Sequence, residues 1–138
     1  MSEMLQLEVI TPDRQVFSGE VTDVLLPGIE GEFGVLKGHT PFLSGLDYGL
    51  MSYTKAEGSK KEFFVIGQGY AEVTGSRVIV IIETVLPVEN VDVANVQKDR
   101  DSQQQKLAKI QQDDPEGEKI KKEIKMLDAL LKAANRQQ

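Results

Sequence analysis

The chain of 138 residues has the length of one ordinary domain, or of a small domain with an appendage. Hydrophobic residues make up 40% and charged residues 28%, a composition typical of a folded core and not of a disordered chain. A net charge of −6 argues against nucleic acid as a partner, because the phosphate backbone would repel the chain. With no cysteine and a single histidine, His39, we expect no thiolate or histidine-cluster metal site. The longest apolar run, 78–82, is much shorter than the roughly 20 residues of a membrane span, so we expect no membrane insertion.

Two different halves meet near Pro87. All eight aromatic residues lie between Phe17 and Tyr70, and Gly117 is the only glycine after Gly75. Because a proline cannot lie inside the element on either side of it, we predict one domain over 1–87 and another over 88–138.

The first half has the pattern of short β-strands. Residues 5–9 alternate between apolar and polar, as in a half-buried strand. After a predicted turn at Ser18-Gly19, further strands are predicted over 20–26, 33–36, 50–55, 61–66, 70–74 and 77–83. The last of these is apolar on both faces, which predicts a central strand covered on both sides. About seven to ten short strands without intervening helices predict an antiparallel sandwich or barrel.

The second half has the pattern of two helices. The first is predicted over about 92–112. The second begins with Asp114 as N-cap and Pro115 at the first helical position, and it extends to about 135. A connection this short joins antiparallel neighbours, so the fold class is mixed α and β in separate parts, a β-sandwich followed by a two-helix hairpin.

The faces of the two helices are unequal. The second helix has an apolar face of Ile120, Ile124, Leu127, Leu131 and Ala134, and a separate basic stripe of Lys121, Lys125, Lys132 and Arg136. The first has a seam of Val93, Val96, Arg100, Gln103 or Gln104, Leu107 and Ile110, which is polar in its middle. Each missing leucine-sized contact forgoes roughly 1.5–3 kcal/mol. The pattern predicts a marginal hairpin that another surface could open; the alternative is a plain stabilising appendage with a solvated charged face.

Candidate chemical sites are few. His39 has no nucleophile motif beside it, which favours a structural or interface role. Glu30 and Glu32 lie in a glycine-rich turn, and we interpret them as an exposed contact for a partner and not as an acid–base pair. The segment 67–69, Gly-Gln-Gly, lacks the third glycine and the helix of a dinucleotide loop, so it predicts a bulge or a crossing between sheets.

Several stretches carry a family resemblance. The segment 31–43, Gly-Glu-Phe-Gly-Val-Leu-Lys-Gly-His-Thr-Pro-Phe-Leu, closely resembles the signature of the epsilon subunits of bacterial F-type ATP synthases. The segments 69–73, 7–13 and 16–19 are similar to other parts of that family, and the resemblance covers the whole chain. Lys37 stands where the family usually has proline, and Gln68 where it often has glycine; both lie in predicted turns.

The resemblance implies a fold of about ten strands followed by an antiparallel α-hairpin. It implies a non-catalytic rotor subunit at the foot of the central stalk, peripheral on the cytoplasmic face of the bacterial inner membrane. This subunit would bind the gamma subunit and the c ring and couple proton flow to ATP synthesis. The hairpin would inhibit ATP hydrolysis through contacts with the alpha and beta subunits.

Roles of individual residues follow by position in the family pattern. Glu30 and Glu32 resemble the tip that contacts the c ring. The side facing gamma is matched by Thr11, His39, Phe42 and Ser44. The basic stripe resembles the part that contacts an acidic loop of the beta subunit when the hairpin is raised.

One family property is not expected here. Some members bind ATP through an I/L-D-x-x-R-A motif, which corresponds to residues 91–96. Val91 and Asp92 fit the first two positions, but Asn95 replaces the arginine. Without that guanidinium several charge-assisted hydrogen bonds to phosphate are lost, so we expect neither tight ATP binding nor another cofactor.

Two other classes remain as alternatives. An adaptor that grips partners with its hairpin would need an exposed apolar seam on separated helices. A small β-barrel enzyme or ligand carrier would need a polar constellation inside the sandwich.

Overall fold

The computed structural model describes residues 4–89 and 91–136. The chain divides into two compact units, Met1–Pro87 and Val88–Gln138. The first unit contains nine described strands, one fewer than the roughly ten expected, and the second contains two helices, so the predicted fold class is confirmed. The strands are β1 Leu5–Ile10, β2 Gln15–Gly28, β3 Gly31–Val35, β4 Phe42–Leu46, β5 Gly49–Lys55, β6 Lys61–Ile66, β7 Gly69–Val73, β8 Arg77–Ile82 and β9 Val85–Pro87. The helices are α1 Val93–Lys109 and α2 Pro115–Arg136.

The strands form one sheet that folds over into a sandwich. Its order is β1-β8-β7-β4-β2-β5-β6-β9, with β3 attached to β2 and β1 also paired with β2. Every pairing is antiparallel except β1 with β8, which run parallel from Gln6↔Arg77 to Ile10↔Ile81. The long strand β2 therefore belongs to both layers, since it pairs with β1 in its first half and with β3 and β5 in its second.

The predicted turn at Ser18-Gly19 is wrong. Both residues lie inside β2, where Ser18 pairs with Glu8 and Gly19 with Leu7. A side chain at Gly19 would begin 3.1 Å from the ring of Phe17, so the glycine makes room for that ring inside the strand. The actual turn lies earlier, where the Thr11 amide donates to the Arg14 carbonyl at 2.9 Å.

The core lies between the two layers and is aliphatic. The inward residues of β1 and β8 are fully or almost fully buried: Leu5, Leu7, Val9, Val78, Val80 and Ile82. Strand β8 is central, as predicted, with β1 on one side and β7 on the other. The prediction that both of its faces are covered is half right, because Ile79 and Ile81 on the outer face are only half-buried.

Two strands, β4 and β9, are absent from the prediction. Strand β4 pairs with β7 from Phe42↔Val73 to Leu46↔Gly69. The Ser-Gly pair at 44–45, residue types common in turns, lies inside the ladder. Strand β9 has three residues and pairs with the end of β6, too short for an alternation pattern.

The Gly-Gln-Gly segment connects the layers. It leads from β6, which pairs with β5, to β7, which pairs with β4 and β8, so the predicted crossing is confirmed. The Gly67 amide donates to the Thr84 carbonyl at 2.9 Å, and the Glu83 amide donates to the Gln68 carbonyl at 3.0 Å. These hydrogen bonds fix the Gly-Gln-Gly segment against residues 83–84. In a dinucleotide-binding loop, the backbone amides would instead bind phosphate.

The second helix begins at its predicted cap, Asp114, and the first begins within one residue of the predicted start, after an Asp92 cap that was not predicted. Asp92 caps α1 by accepting from the Asn95 amide at 3.2 Å. Asp114 accepts from the Glu116 amide at 2.9 Å, which leaves Pro115 at the first position of α2. Helix α1 ends at Lys109, earlier than predicted, because the backbone of Ile110 is extended.

Candidate functional site

The predicted acidic contact lies at the turn between β2 and β3. Gly28 pairs with Gly31, so Ile29 and Glu30 form a two-residue turn. Gly31 has a φ of 129°, which a residue with a side chain adopts only at a cost. Glu30 and Glu32 are exposed, and Ile29 is 67% exposed beside them. The turn therefore presents one exposed apolar side chain and two exposed carboxylates.

The four residues predicted to face gamma do not form one cluster. The rings of His39 and Phe42 lie 5.0 Å apart, and His39 Nδ1 is 2.8 Å from the Thr40 carbonyl oxygen. Ser44 donates to the Gly45 carbonyl at 2.9 Å and pairs across the ladder with buried Ala71, which places it on the inner side of β4.

Thr11 lies apart from the other three. It is 8% exposed, and its hydroxyl donates to the Arg14 carbonyl at 3.3 Å. It lines a groove of about 480 Å³ together with Ile10, Tyr70 and Ile81. The groove is mostly apolar, and Glu83 contributes the one carboxylate of its lining.

An apolar outer strip continues from this groove across the sheet, interrupted by exposed Glu72 between Ile79 and Leu43. It consists of Ile10, Leu43, Tyr70, Ile79 and Ile81. Ile10 is in register with Ile81 and Ile81 with Tyr70, while Glu72 is in register with both Ile79 and Leu43. Leu43 is 67% exposed and Tyr70 47%. The strip was not predicted, because Leu43 lies on β4, a strand without a local sequence signal; alternation along β7 and β8 was the available signal.

The described sandwich offers little for enzyme chemistry. Thr11 and Ser52 are its buried polar residues, and the Ser52 hydroxyl has no hydrogen-bond partner. Over 4–89 and 91–136, no group of three or more histidine, cysteine, aspartate or glutamate side chains could hold a metal ion. The β-barrel enzyme or carrier alternative therefore gains no support from this core.

The hairpin packs along the predicted seam, with two exceptions on α1. Val96, Gln103, Leu107 and Ile110 are half-buried, whereas Val93 and Gln104 are exposed. None of the residues of α1 is fully buried. On α2, the predicted Ile120, Ile124 and Ala134 are buried, and Leu127 and Leu131 are half-buried. Three further buried residues extend the arc beyond the predicted face: Met126, Leu130 and Ala133.

The middle of the hairpin is polar, as predicted, and it also contains an ion pair between the two helices. Arg100 Nε donates to Asp128 Oδ1 across the hairpin, and that hydrogen bond raises the pKa of the guanidinium. Near it, Gln103 Oε1 is buried without a hydrogen-bond partner. An orphaned acceptor of this kind costs about 1–3 kcal/mol, and solvent screens the attraction within the exposed ion pair. The orphaned acceptor and the screened ion pair both keep the free-energy difference between the closed and the open hairpin small.

The basic stripe lies on the exposed side of α2. Lys121, Lys125 and Lys132 are exposed, and Lys121 Nζ lies 3.5 Å from Glu118 Oε1. Arg136 closes the helix, and its side chain lies outside the described residues. The stripe is separate from the buried arc, so its lysines are accessible to a partner.

The residues predicted to remain from a nucleotide motif are occupied by helix capping. Asp92 Oδ1 accepts from the Asn95 amide, and Asp92 Oδ2 accepts from Asn95 Nδ2 at 2.9 Å. Val91 is half-buried beside them. Both carboxylate oxygens are therefore used within the first turn of α1.

No helix in the described ranges, 4–89 and 91–136, is long and apolar enough to cross a membrane.

Comparison with known proteins identifies the class to which the sandwich belongs. Residues 4–88 match the family model described as "ATP synthase, Delta/Epsilon chain, beta-sandwich domain". The ATP synthase epsilon chain of Nitratidesulfovibrio vulgaris (strain DP4) is 44% identical over 112 residues, which are 81% of this chain and 82% of that protein. The ATP synthase epsilon chain of Lawsonia intracellularis is 37% identical over 82% of this chain and 84% of its own length. The chain belongs to the family of ATP synthase epsilon chains, which are non-catalytic subunits of the F-type complex.

Solved structures have the same fold. A chain of the Euglena gracilis mitochondrial ATP synthase, in a structure of OSCP, F1 and the c-ring, aligns with a TM-score of 0.77 and 24% identity. The alignment covers 96% of this chain and 82% of that chain. A chain from the central stalk and c-ring of the Tetrahymena thermophila enzyme aligns with a TM-score of 0.57 and 13% identity, over 94% and 96% of the two chains.

Proposed function

We propose that the chain is a rotor subunit of the central stalk, bound to the gamma subunit through its sandwich and in contact with the c ring. It couples proton translocation to ATP synthesis, and its hairpin restrains ATP hydrolysis through the alpha and beta subunits. It is peripheral, on the cytoplasmic face of the bacterial inner membrane. The observation that carries the proposal is the outer strip, an apolar surface on a chain that belongs to the epsilon family.

The outer strip and the groove are the best candidate for the gamma contact. Apolar side chains grouped on one face of a sheet are candidates for a protein interface, and the strip shares Ile10, Tyr70 and Ile81 with the groove that Thr11 lines. His39 and Phe42 precede Leu43 in the chain, but Phe42 packs against the core while Leu43 is on the outer face, so only Leu43 of this segment belongs to the strip.

The β2–β3 turn is the best candidate for the c-ring contact. A hairpin tip with exposed Ile29 followed by two carboxylates suits a polar loop, because its charges set the orientation while its apolar residue is buried on binding. The tip belongs to a ladder that reaches the core at Val24↔Val35, which keeps it fixed during rotation.

The hairpin suits a regulatory arm. Its seam is half-buried on α1, its middle contains an orphaned acceptor, and its basic stripe is exposed. A shallow closed state lets a partner of complementary charge compete for α2. ATP is not a ligand in this proposal, because Asp92 is engaged as a helix cap and Asn95 has no positive charge.

The gamma contact is tested with the outer strip. Replacing Leu43 with Asp, or Tyr70 with Asp, places a charge in the strip without touching the core, and we expect gamma binding to weaken at least tenfold, about 1.4 kcal/mol. Leu86→Asp is the matched control, since Leu86 is 36% exposed on β9, outside the strip. Co-purification with alpha, beta and gamma measures the outcome. Equal retention of all three variants would contradict the assigned surface.

The regulatory contact is tested with the basic stripe. Replacing Lys121, Lys125, Lys132 and Arg136 with Ala removes four positive charges from α2, and we expect faster ATP hydrolysis by the reconstituted complex at unchanged assembly. Replacing the lysines of α1, Lys98, Lys106 and Lys109, is the control for charge alone. A hydrolysis rate that responds equally to both sets, or to neither, would support the stabilising appendage instead.

A further inference from the structure

A charge pair joins the two helices at the middle of the hairpin. Arg100 Nε donates to Asp128 Oδ1, and Nη1 of the same guanidinium lies 3.8 Å from Asp101 Oδ1. The Arg100 and Asp128 side chains are 31% and 42% exposed, so water and ions reach both. If α1 and α2 were extended end to end, with a break at Pro115, residues 100 and 128 would lie up to about 42 Å apart at 1.5 Å per residue. The pair is therefore a contact of the closed hairpin alone.

The orphaned Gln103 Oε1 opposes this pair. It lies on the same face of α1, one turn after Arg100, and it is buried without a hydrogen-bond partner. Opening the hairpin would return this oxygen to water, which supplies the missing hydrogen bond. The middle of the hairpin thus contains one polar contact that holds it closed and one polar group that favours opening.

Asp128 also has alternative partners on its own helix. It lies three residues after Lys125 and four before Lys132, the spacings at which side chains on a helix meet. When Arg100 withdraws, these lysines offset part of the loss at Asp128. Once released from Asp128, the Arg100 guanidinium keeps, among the described residues, the 3.8 Å contact with Asp101, so it can pair with an external acidic group.

We propose that the Arg100–Asp128 pair is an electrostatic latch of the hairpin. It is released by a carboxylate-bearing surface that competes with Asp128 for the guanidinium of Arg100, and it is weakened by salt. The latch itself depends only on the closed hairpin; its consequence for ATP hydrolysis rests on the regulatory role proposed above.

The absence of cysteine in the chain makes the latch directly measurable. Ala94→Cys and Asn135→Cys, both exposed and at the open end of the hairpin, accept spin labels in the full-length chain. Pulsed dipolar spectroscopy then separates a short closed distance from an open one, which reaches about 60 Å with the helices extended end to end. For very small open fractions, the thiol-labelling rate of buried Ile124→Cys reports the same equilibrium.

Four variants test the pair. Asp128→Asn keeps the shape but removes the charge, and we expect the open-to-closed ratio to rise about two- to fivefold. Arg100→Asp should do the same, and combining it with Asp128→Arg should restore the original ratio. Asp99→Asn, an exposed carboxylate on the same helix, is the matched control and should leave the ratio unchanged. High salt should raise the ratio in the unmodified chain but not in Asp128→Asn.

Two results would overturn the latch: an unchanged open fraction in Asp128→Asn, or a charge-reversed pair that fails to restore closure. Steady-state ATP hydrolysis of the reconstituted complex is measured separately. If Asp128→Asn opens the hairpin and hydrolysis stays the same, the latch stands and the proposed regulatory role fails. If the hairpin does not open, the latch fails whatever the hydrolysis rate.

Discussion

Tyr53 is a buried phenol that makes the stability of the core depend on alkaline pH. It is 2% exposed, and its ring lies 4.6 Å from that of Phe17 and 5.8 Å from that of Phe64. Burial, and to a smaller extent the negative charge of Glu62, raise the pKa of Tyr53 from 10 to about 12. The folded protein holds this proton more tightly than the unfolded chain does, so the stabilisation is complete below pH 10 and is lost as pH rises towards 12.

We therefore expect the melting temperature to fall more steeply between pH 10 and 12 in the natural chain than in Tyr53→Phe. A shift of this size corresponds to about 2–3 kcal/mol at the upper end of the range. Tyr70→Phe is the control, because Tyr70 is 47% exposed. Differential scanning calorimetry across the pH series measures the slopes. Parallel slopes for the natural chain and Tyr53→Phe would mean that the pKa of Tyr53 is the same in the folded and the unfolded chain.

Gly69 is a second residue with a clear expected outcome. A Cβ at this position would lie 2.0 Å from the Ile81 carbonyl oxygen and 2.8 Å from the Ile82 Cα, both backbone atoms that cannot turn aside. We expect Gly69→Ala to lower the stability of the sandwich by more than about 3 kcal/mol, a melting temperature drop beyond about 10 °C. Gly75→Ala, which has no atom within 4 Å of its added Cβ, is the control. Similar melting temperatures for the two variants would contradict the close approach of β7 to β8.

At the scale of elements, some features could be predicted because a local signal decides them. The cap Asp114 specifies where α2 begins, and continuous apolar residues on both faces identify β8 as central. The crossing at Gly-Gln-Gly could be predicted because the segment lacks the third glycine and the following helix of a dinucleotide loop. These features depend on neighbours within one or two turns of chain, which is the range that sequence patterns report.

Other elements could not be predicted because distant packing decides them. Gly19 is inside a strand because β1 pairs there through Leu7, and Ser44 and Gly45 are inside a strand because β7 pairs there. The outer strip was missed for the same reason, since Leu43 joins Tyr70 only once β4 exists. On α2, the periodicity indicates the centre of the buried face but not the width of the arc that includes Met126.

The hairpin gives a prediction at this scale. Gln103→Leu removes the orphaned acceptor and adds apolar area to the seam, so we expect the hairpin to be about 1–3 kcal/mol more stable. Helical circular dichroism during thermal unfolding measures this, and the reconstituted complex should hydrolyse ATP faster because the arm opens less often. Gln104→Leu is the matched control, because Gln104 is the next residue along α1 and its side chain is exposed. An equal effect of both changes would point to helix propensity and not to the seam.

At the scale of the whole molecule, the first unit has what it requires to fold on its own. It has its own aliphatic core, from Leu5 to Ile82, and the family model matches 4–88. We expect a fragment of residues 1–88 to fold alone, to bind gamma and to assemble into the complex, with ATP hydrolysis faster than with the full chain. A fragment of residues 1–82 lacks β9 and leaves the edge of β6 unpaired, so it should melt at a lower temperature. An unfolded 1–88 fragment by circular dichroism would show that the sandwich depends on the hairpin.

The parallel pairing of β1 with β8 has a consequence for synthesis on the ribosome. β1 can pair with β2 as soon as the first 28 residues have emerged, but its other edge has no partner until β8 has been made. Contacts between segments so far apart in sequence form slowly, and an unpaired apolar strand is exposed to aggregation in the meantime. The nascent sandwich therefore closes late, while the ribosome is already making the helices. A slowly translated stretch after residue 82 would let the closure finish before those helices appear, whereas a pause before β8 would prolong the interval in which the edge of β1 is open.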